Sequence, residues 1–182
     1  MMRGSRYGVV AYVNGPVGEF VKDLRRELHP DLPHLAAHLS LLPPRPLNGD
    51  ESSALELIKD VCSRVEPFDV SLGEVETFIP VTPTVFIRVA HGASRMRELH
   101  QLLSAGPLDT PEEWPYLPHL TIAKMTVEHQ AQEAYRIARR YWSEFTGSRT
   151  IQTQELTFVR ESSPNCWVDL AKISLTRPLL RI

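Results

Sequence analysis

Apolar and polar positions along the chain switch between two periods, and the switches mark the elements. Residues 7–13 (YGVVAYV) form a β-rich apolar run that stops at Asn14-Gly15, as a strand stops at a turn pair. Residues 16–28 place Val17, Phe20, Val21, Leu24 and Leu28 on one helical face, with Pro16 at the first turn. Beyond these, the pattern predicts a strand over 36–42, a loop over 43–50 (PPRPLNGD) and a helix over 52–65. A strand over 68–79 follows, bulged at Gly73. The sequence of periods then restarts. Residues 84–90 read as a strand, 93–103 as a helix, 104–118 as a proline-rich loop and 119–125 as a strand. Residues 127–145 form the longest amphipathic stretch, and 151–159 and 166–176 close as two strands.

Both halves therefore read strand, helix, strand, helix, strand, and self-similarity of this kind governs any reading of motifs. The spacings agree: Tyr7 to His38 is 31 residues and Val85 to His119 is 34, while His38 to Ser71 is 33 and His119 to Thr153 is 34. The expectation is a single α+β domain over residues 1–182, a duplicated two-lobe fold with repeats over about 7–79 and 84–176 and a seam near 80–83.

At the same place in each half stands the same short pattern, His38-Leu39-Ser40 and His119-Leu120-Thr121, each followed by an apolar residue, Leu41 or Ile122. Residues i and i+2 of a strand share a face. Each histidine therefore lies beside its hydroxyl, while Leu39, Leu41, Leu120 and Ile122 face a core. A pseudo-twofold would bring the two polar faces together across a cleft. Two imidazoles, each with an ordinary pKa of about 6.5, can take one proton and give another near neutrality. Two hydroxyls can donate to non-bridging oxygens as charge builds on a phosphorus. The set suits phosphodiester cleavage by in-line displacement.

Composition narrows the substrate. The 182 residues hold 20 basic and 22 acidic side chains, a net charge of −2, so no strongly basic nucleic-acid coat is expected. Sixteen of the basic residues are arginines, which suit bidentate phosphate contacts; a GC-rich genome gives the same bias. No apolar run approaches the ~18 residues that span a bilayer, and the N-terminus lacks a signal-peptide pattern. A cytoplasmic location and no membrane partner are expected. Cys62 and Cys166 form no CxxC or zinc spacing, and buried thiols are expected. No GxGxxG or P-loop occurs.

Paired H-x-[ST]-x motifs, one in each half of a duplicated α+β chain of this length, resemble the 2H phosphoesterase superfamily. The likeness is nearest to its bacterial 2′-5′ RNA ligase–like branch, the RNA 2′,3′-cyclic phosphodiesterases. The resemblance spans nearly the whole chain. It implies antiparallel sheets flanking a central groove with helices outside, and metal-independent, cofactor-free hydrolysis of a 2′,3′-cyclic phosphate to a 2′-phosphate. RNA termini or small cyclic nucleotides are the implied partners, with joining or cleavage of 2′-5′ linkages as a further activity. The catalytic histidines fall on His38 and His119, and the phosphate-binding hydroxyls on Ser40 and Thr121. Many members carry an Arg soon after each motif. Here those stretches read Leu41-Leu42-Pro43 and Ile122-Ala123-Lys124, so Lys124 offers a point charge without the bidentate fork. Which histidine is acid and which base stays open, as does the oligomeric state, with a monomer the simpler expectation.

Other residues carry open readings. Trp114 and Tyr116, before the second motif, either stack on a base or cap a lobe. Arg45 and Arg160 are candidate phosphate or ribose contacts. Arg136, Arg139 and Arg140 form a solvated face in one reading and an RNA contact in the other. His34 reads as a loop residue beside Pro33 rather than a metal ligand. His29, His91, His100 and His129 read as structural or solvated. Two rival functions remain: a nucleotide- or RNA-end-binding module without turnover, and a cyclic phosphodiesterase on a non-RNA substrate such as ADP-ribose cyclic phosphate.

Overall fold

A computed structural model describes residues 4–28 and 36–176. His29 and His34 lie outside the described residues. The elements run β1 (Tyr7–Tyr12), α1 (Gly15–Leu28), β2 (His38–Arg45), α2 (Glu51–Cys62), β3 (Phe68–Thr77), β4 (Thr84–His91), α3 (Ala93–Leu103), β5 (His119–Lys124), α4 (Glu128–Glu144), β6 (Thr150–Thr153), β7 (Glu155–Ser163) and β8 (Cys166–Ser174), with a 3₁₀ turn at Gly106–Leu108. Among the described residues, no helix is long and apolar enough to cross a membrane.

The fold is α+β. All strand pairs are antiparallel, in the order β6-β3-β4-β5-β2-β1-β7-β8. Two four-strand sheets, β6-β3-β4-β5 and β2-β1-β7-β8, meet through a single register pair, Leu39 with Leu120. Helices α1 and α4 back the first block, and α2 and α3 the second. The core lies between these helices and the outer sheet face, around Leu39, Leu41, Leu42, Ile58, Leu99, Leu120 and Ile122. Val10, Phe86 and Val159 are buried but stand outside that core cluster. They share a sheet face with the histidines and floor the opposite side.

Three expectations change. The segment 151–159 is not one strand. It breaks at Gln154, where the chain leaves the edge of β3 and re-enters beside β1. Each block thus draws strands from both halves of the sequence. The loop expected over 43–50 begins late, because β2 continues through Pro43 and Pro44 to Arg45. Prolines are tolerated there because β2 has diverged from β5 and its register against β1 is irregular, so no ladder donor is lost. Cys166 is exposed; Cys62 is buried as expected, its thiol pushed up to about 12 by desolvation. The bulge near Gly73 is present, with register shifts between Ser71 and Val75. The indole of Trp142 on α4 donates to the Gly73 carbonyl at 2.8 Å and docks the long helix there.

Candidate active site

The site forms where the two blocks touch. Leu39 and Leu120 pair directly and are 1% and 0% exposed. Continuing that antiparallel register one residue each way sets His38 opposite Thr121 and Ser40 opposite His119. All four side chains are half-buried and share the face that the two leucines do not use. Directly opposed Cβ atoms lie about 4.5–5.5 Å apart and diagonal ones about 7–8 Å. The imidazoles occupy one diagonal of this rectangle and the hydroxyls the other.

Both rings are oriented alike. His38 Nδ1–H donates to the Ala36 carbonyl at 2.8 Å, and His119 Nδ1–H donates to the Leu117 carbonyl at 2.6 Å. The carbonyls accept only, so these bonds fix the tautomer and leave each Nε2 for other work. The His119 ring sits edge-on to Phe78 and Phe86, at 5.1 and 5.2 Å between centroids. Desolvation holds both imidazoles below their ordinary pKa. The backbone bonds oppose the shift, and nearby positive charge adds to it: Arg25, Lys124 and His119 for His38, and Lys124 for His119.

A bulge follows each hydroxyl. Between β4 and β5 the register moves from Phe86–Thr121 to Val85–Ala123, so Ile122 is the extra residue. Between β1 and β2 it moves from Val10–Ser40 to Val9–Leu42, so Leu41 is extra. Both extra residues and their successors, Leu42 and Ala123, are buried. The bulge reverses the alternation beyond it. Lys124 pairs with Thr84, two residues along β4 from Phe86, and so returns to the face of His119 and Thr121. Lys124 is exposed on its outer side, yet desolvation holds its ammonium below the usual lysine pKa, helped by the charges of Arg6 and Arg25. At the matched place after the first motif stands Pro43.

The carbonyls at each bulge have left the sheet ladder and are satisfied by side chains. Arg25 of α1 donates to Thr121 O at 2.6 Å and Ile122 O at 2.9 Å. Tyr116 donates its hydroxyl to Ser40 O at 2.8 Å, and His100 Nδ1–H donates to Leu41 O at 2.8 Å. Tyr116 also stacks on His100 at 3.9 Å, and burial raises its phenol pKa.

Several expected substrate contacts lie elsewhere. Tyr116 is a strut under β2, with its hydroxyl and one ring face engaged, and is not open to a base. Arg45 is 4% exposed and pairs with Glu112 at 3.1 Å while donating to Leu108 O and Pro43 O. Glu112 also meets His100 Nε2 at 2.7 Å. Arg45 therefore ties the 104–118 loop to β2 and is sealed from solvent. Arg160 pairs with Glu51 at 2.7 Å, beside Tyr7, on the face opposite the histidines. Trp114 is 56% exposed. Arg136 and Arg140 pair with Glu133 and Glu144 on a solvated face. His100 is structural, while His91 and His129 are exposed. Sequence reasoning missed Arg25, whose one signal is its place beside the apolar stripe of Val21, Leu24 and Leu28. It also missed Tyr12, which pairs with His38 in register and donates to Asp169 at 2.5 Å.

Comparison with known proteins accords with this geometry. A family model described as the 2′-5′ RNA ligase superfamily matches residues 14–163. A protein of Oceanobacillus iheyensis, described as a candidate phosphoesterase, is 28% identical over 127 residues, spanning 68% of this chain and 72% of its own. The crystal structure of TT0787 of Thermus thermophilus superposes with a TM-score of 0.67 at 18% identity, covering 94% of this chain and 98% of that one. LigT of E. coli with NADP+ gives 0.67 at 16%, covering 96% and 100%; LigT has also been solved with 3′-AMP and with phosphate.

Proposed function

The chain belongs to the 2′-5′ RNA ligase superfamily, the 2H phosphoesterases, and from that premise we propose that it hydrolyses 2′,3′-cyclic phosphates, on RNA ends or small nucleotides, to 2′-phosphates. One imidazole Nε2 takes a proton from water, whose oxygen attacks phosphorus. The bond from phosphorus to the ribose 3′ oxygen breaks, and the other Nε2–H protonates that oxygen as it departs. Ser40 and Thr121 donate to the non-bridging oxygens as charge builds, and Lys124 adds a positive charge on the same face. The diagonal arrangement carries this reading: imidazoles at opposite corners can address the entering and leaving oxygens of one in-line displacement. Among the described residues no three His, Cys, Asp or Glu side chains gather to hold an ion, and the proposal routes both proton transfers through the imidazoles. LigT's complexes with 3′-AMP and phosphate are in keeping with a nucleotide phosphoryl group in a groove of this fold.

The test is turnover of a 2′,3′-cyclic mononucleotide in EDTA, with products resolved by ³¹P NMR. A 2′-phosphate formed at an undiminished rate is the expected outcome. Binding without turnover would replace the proposal with a nucleotide-binding module, and a 3′-phosphate product would reverse the assignment of the leaving oxygen.

A further inference from the structure

The face that carries the histidines continues along β1 toward its start. Alternation sets Tyr12, Val10, Gly8 and Arg6 on this face, since Val9, Ala11 and Val13 belong to the core on the other. Gly8 leaves the floor low, because an added Cβ would meet Leu42 O at 3.1 Å and Val159 at 3.6 Å. Arg6 stands at the far end. Its carbonyl accepts from Glu161 N, which extends the ladder with β7. Its Nε and Nη2 clamp Glu161 at 2.6 and 2.8 Å, and its guanidinium lies over Trp167, 5.9 Å from the ring centroid. The clamp uses one edge of the fork and leaves Nη1 facing outward. From the other block, the β5 bulge turns Lys124 onto the same face, with no carboxylate bonded to it among the described residues. Arg6 lies close enough for its charge to be felt at Lys124. Two cations thus approach each other over a low floor, an arrangement that favours an anion between them.

We infer that Arg6, acting with Lys124, holds a second phosphoryl group of the substrate, one separate from the cyclic phosphate between His38 and His119. The inference rests on the cyclic phosphodiesterase reading and refines it: the substrate is a nucleotide carrying a further phosphate, as a 5′-phosphate, an internucleotide phosphate or a pyrophosphate. A guanidinium braced by a carboxylate and an aromatic ring meets such a group without first being ordered. Arg6 supplies from β1 the positive charge that Pro43 does not supply from β2.

The experiment compares kcat/KM for three pairs. The first is a 2′,3′-cyclic mononucleotide with and without a 5′-phosphate. The second is the same nucleotide against a dinucleotide ending in it, and the third sets it against ADP-ribose cyclic phosphate. The wild type is expected to prefer at least one doubly charged partner by about tenfold, and the arm that shows the preference identifies the source of the phosphate. Arg6→Gln should bring that ratio close to one, and Glu161→Gln, which frees the fork, should raise it. An unchanged ratio in Arg6→Gln, or no preference in the wild type, overturns the inference. Calorimetry with adenosine 2′-monophosphate and adenosine 2′,5′-bisphosphate reads the same ratio without turnover. A bisphosphate preference that depends on Arg6 but comes with no hydrolysis would defeat the catalytic reading alone.

Discussion

The two motif strands, β2 and β5, share a scaffold and differ in charge. Each carries a histidine anchored through Nδ1 to the carbonyl two residues back, a hydroxyl at i+2, and then a bulge whose two carbonyls are capped by side chains. In β5 one guanidinium, Arg25, caps both carbonyls; in β2 the work is divided between the Tyr116 phenol and the His100 imidazole. Beyond the bulge β5 presents Lys124 and β2 presents Pro43. The caps come crosswise: α1, from the first half of the sequence, holds β5, and α3 with its following loop, from the second half, holds β2. The lesson is that the backbone frame is matched where two equivalent proton transfers need it, while the electrostatics enter from one side.

The largest effect should come from breaking the match itself. His38→Ala and His119→Ala are each expected to lower kcat by about 10²–10⁴-fold, with the double variant little worse than the weaker single one, because groups acting as a unit are non-additive. Steady-state kinetics on all three variants checks this, and additive losses would mean that the rings act separately. Removing the hydroxyls, by Ser40→Ala or Thr121→Val, should cost about 10²-fold each in kcat with a smaller change in KM. Near-equal losses would extend the symmetry to the phosphate donors.

The caps separate the halves further. Arg25→Met strips two carbonyls of a charged donor and should destabilise by about 2–3 kcal/mol, against about 1 kcal/mol for Tyr116→Phe, which removes one neutral bond. Denaturant titrations of both variants measure the ratio. Lys124→Met should reduce kcat/KM by about tenfold and raise the apparent pKa values of both histidines, since its charge now holds them down. Pro43→Ala, at the matched place, should change neither.

The smallest effect is a displacement along the pH axis. Burial depresses both imidazoles, so in the free enzyme the acid loses its proton below pH 6.5, and the base is deprotonated down to a similarly low pH. The bell of kcat/KM should therefore centre on the acid side of 6.5. A bound phosphate anion favours the protonated rings, so the profile of kcat should lie at higher pH than that of kcat/KM. Coincident profiles would mean that the substrate's charge does not reach the imidazoles.

Much of this frame is legible in the sequence because it is local. Alternation identifies β1, β4 and β5, the helical stripe of Ala131, Ala134, Ala138 and Trp142 identifies α4, and the i, i+2 spacing puts each histidine beside its hydroxyl. What escapes is set by distant partners. Arg45 looks like an exposed loop cation until Glu112, 67 residues away, buries it. Arg25 looks like one more charge on a helix until Thr121, 96 residues away, takes its donors. Gln154 carries no turn signal, and the crossing from one block to the other happens there because both flanking strands find edges to pair with. The bulges at Leu41 and Ile122 are visible only through register, and they decide that Lys124 rather than a neighbour points at the site.

The central claim is that His38 and His119 address one phosphoryl group through Nε2. It is tested most directly by ¹⁵N NMR of the histidine side chains during titration with adenosine 2′-monophosphate. The account predicts that both Nε2 resonances shift together at one affinity, that both pKa values rise in the complex, and that both Nδ1 nitrogens stay protonated on their carbonyls. A shift confined to one ring, or two shifts with separate affinities, would contradict it.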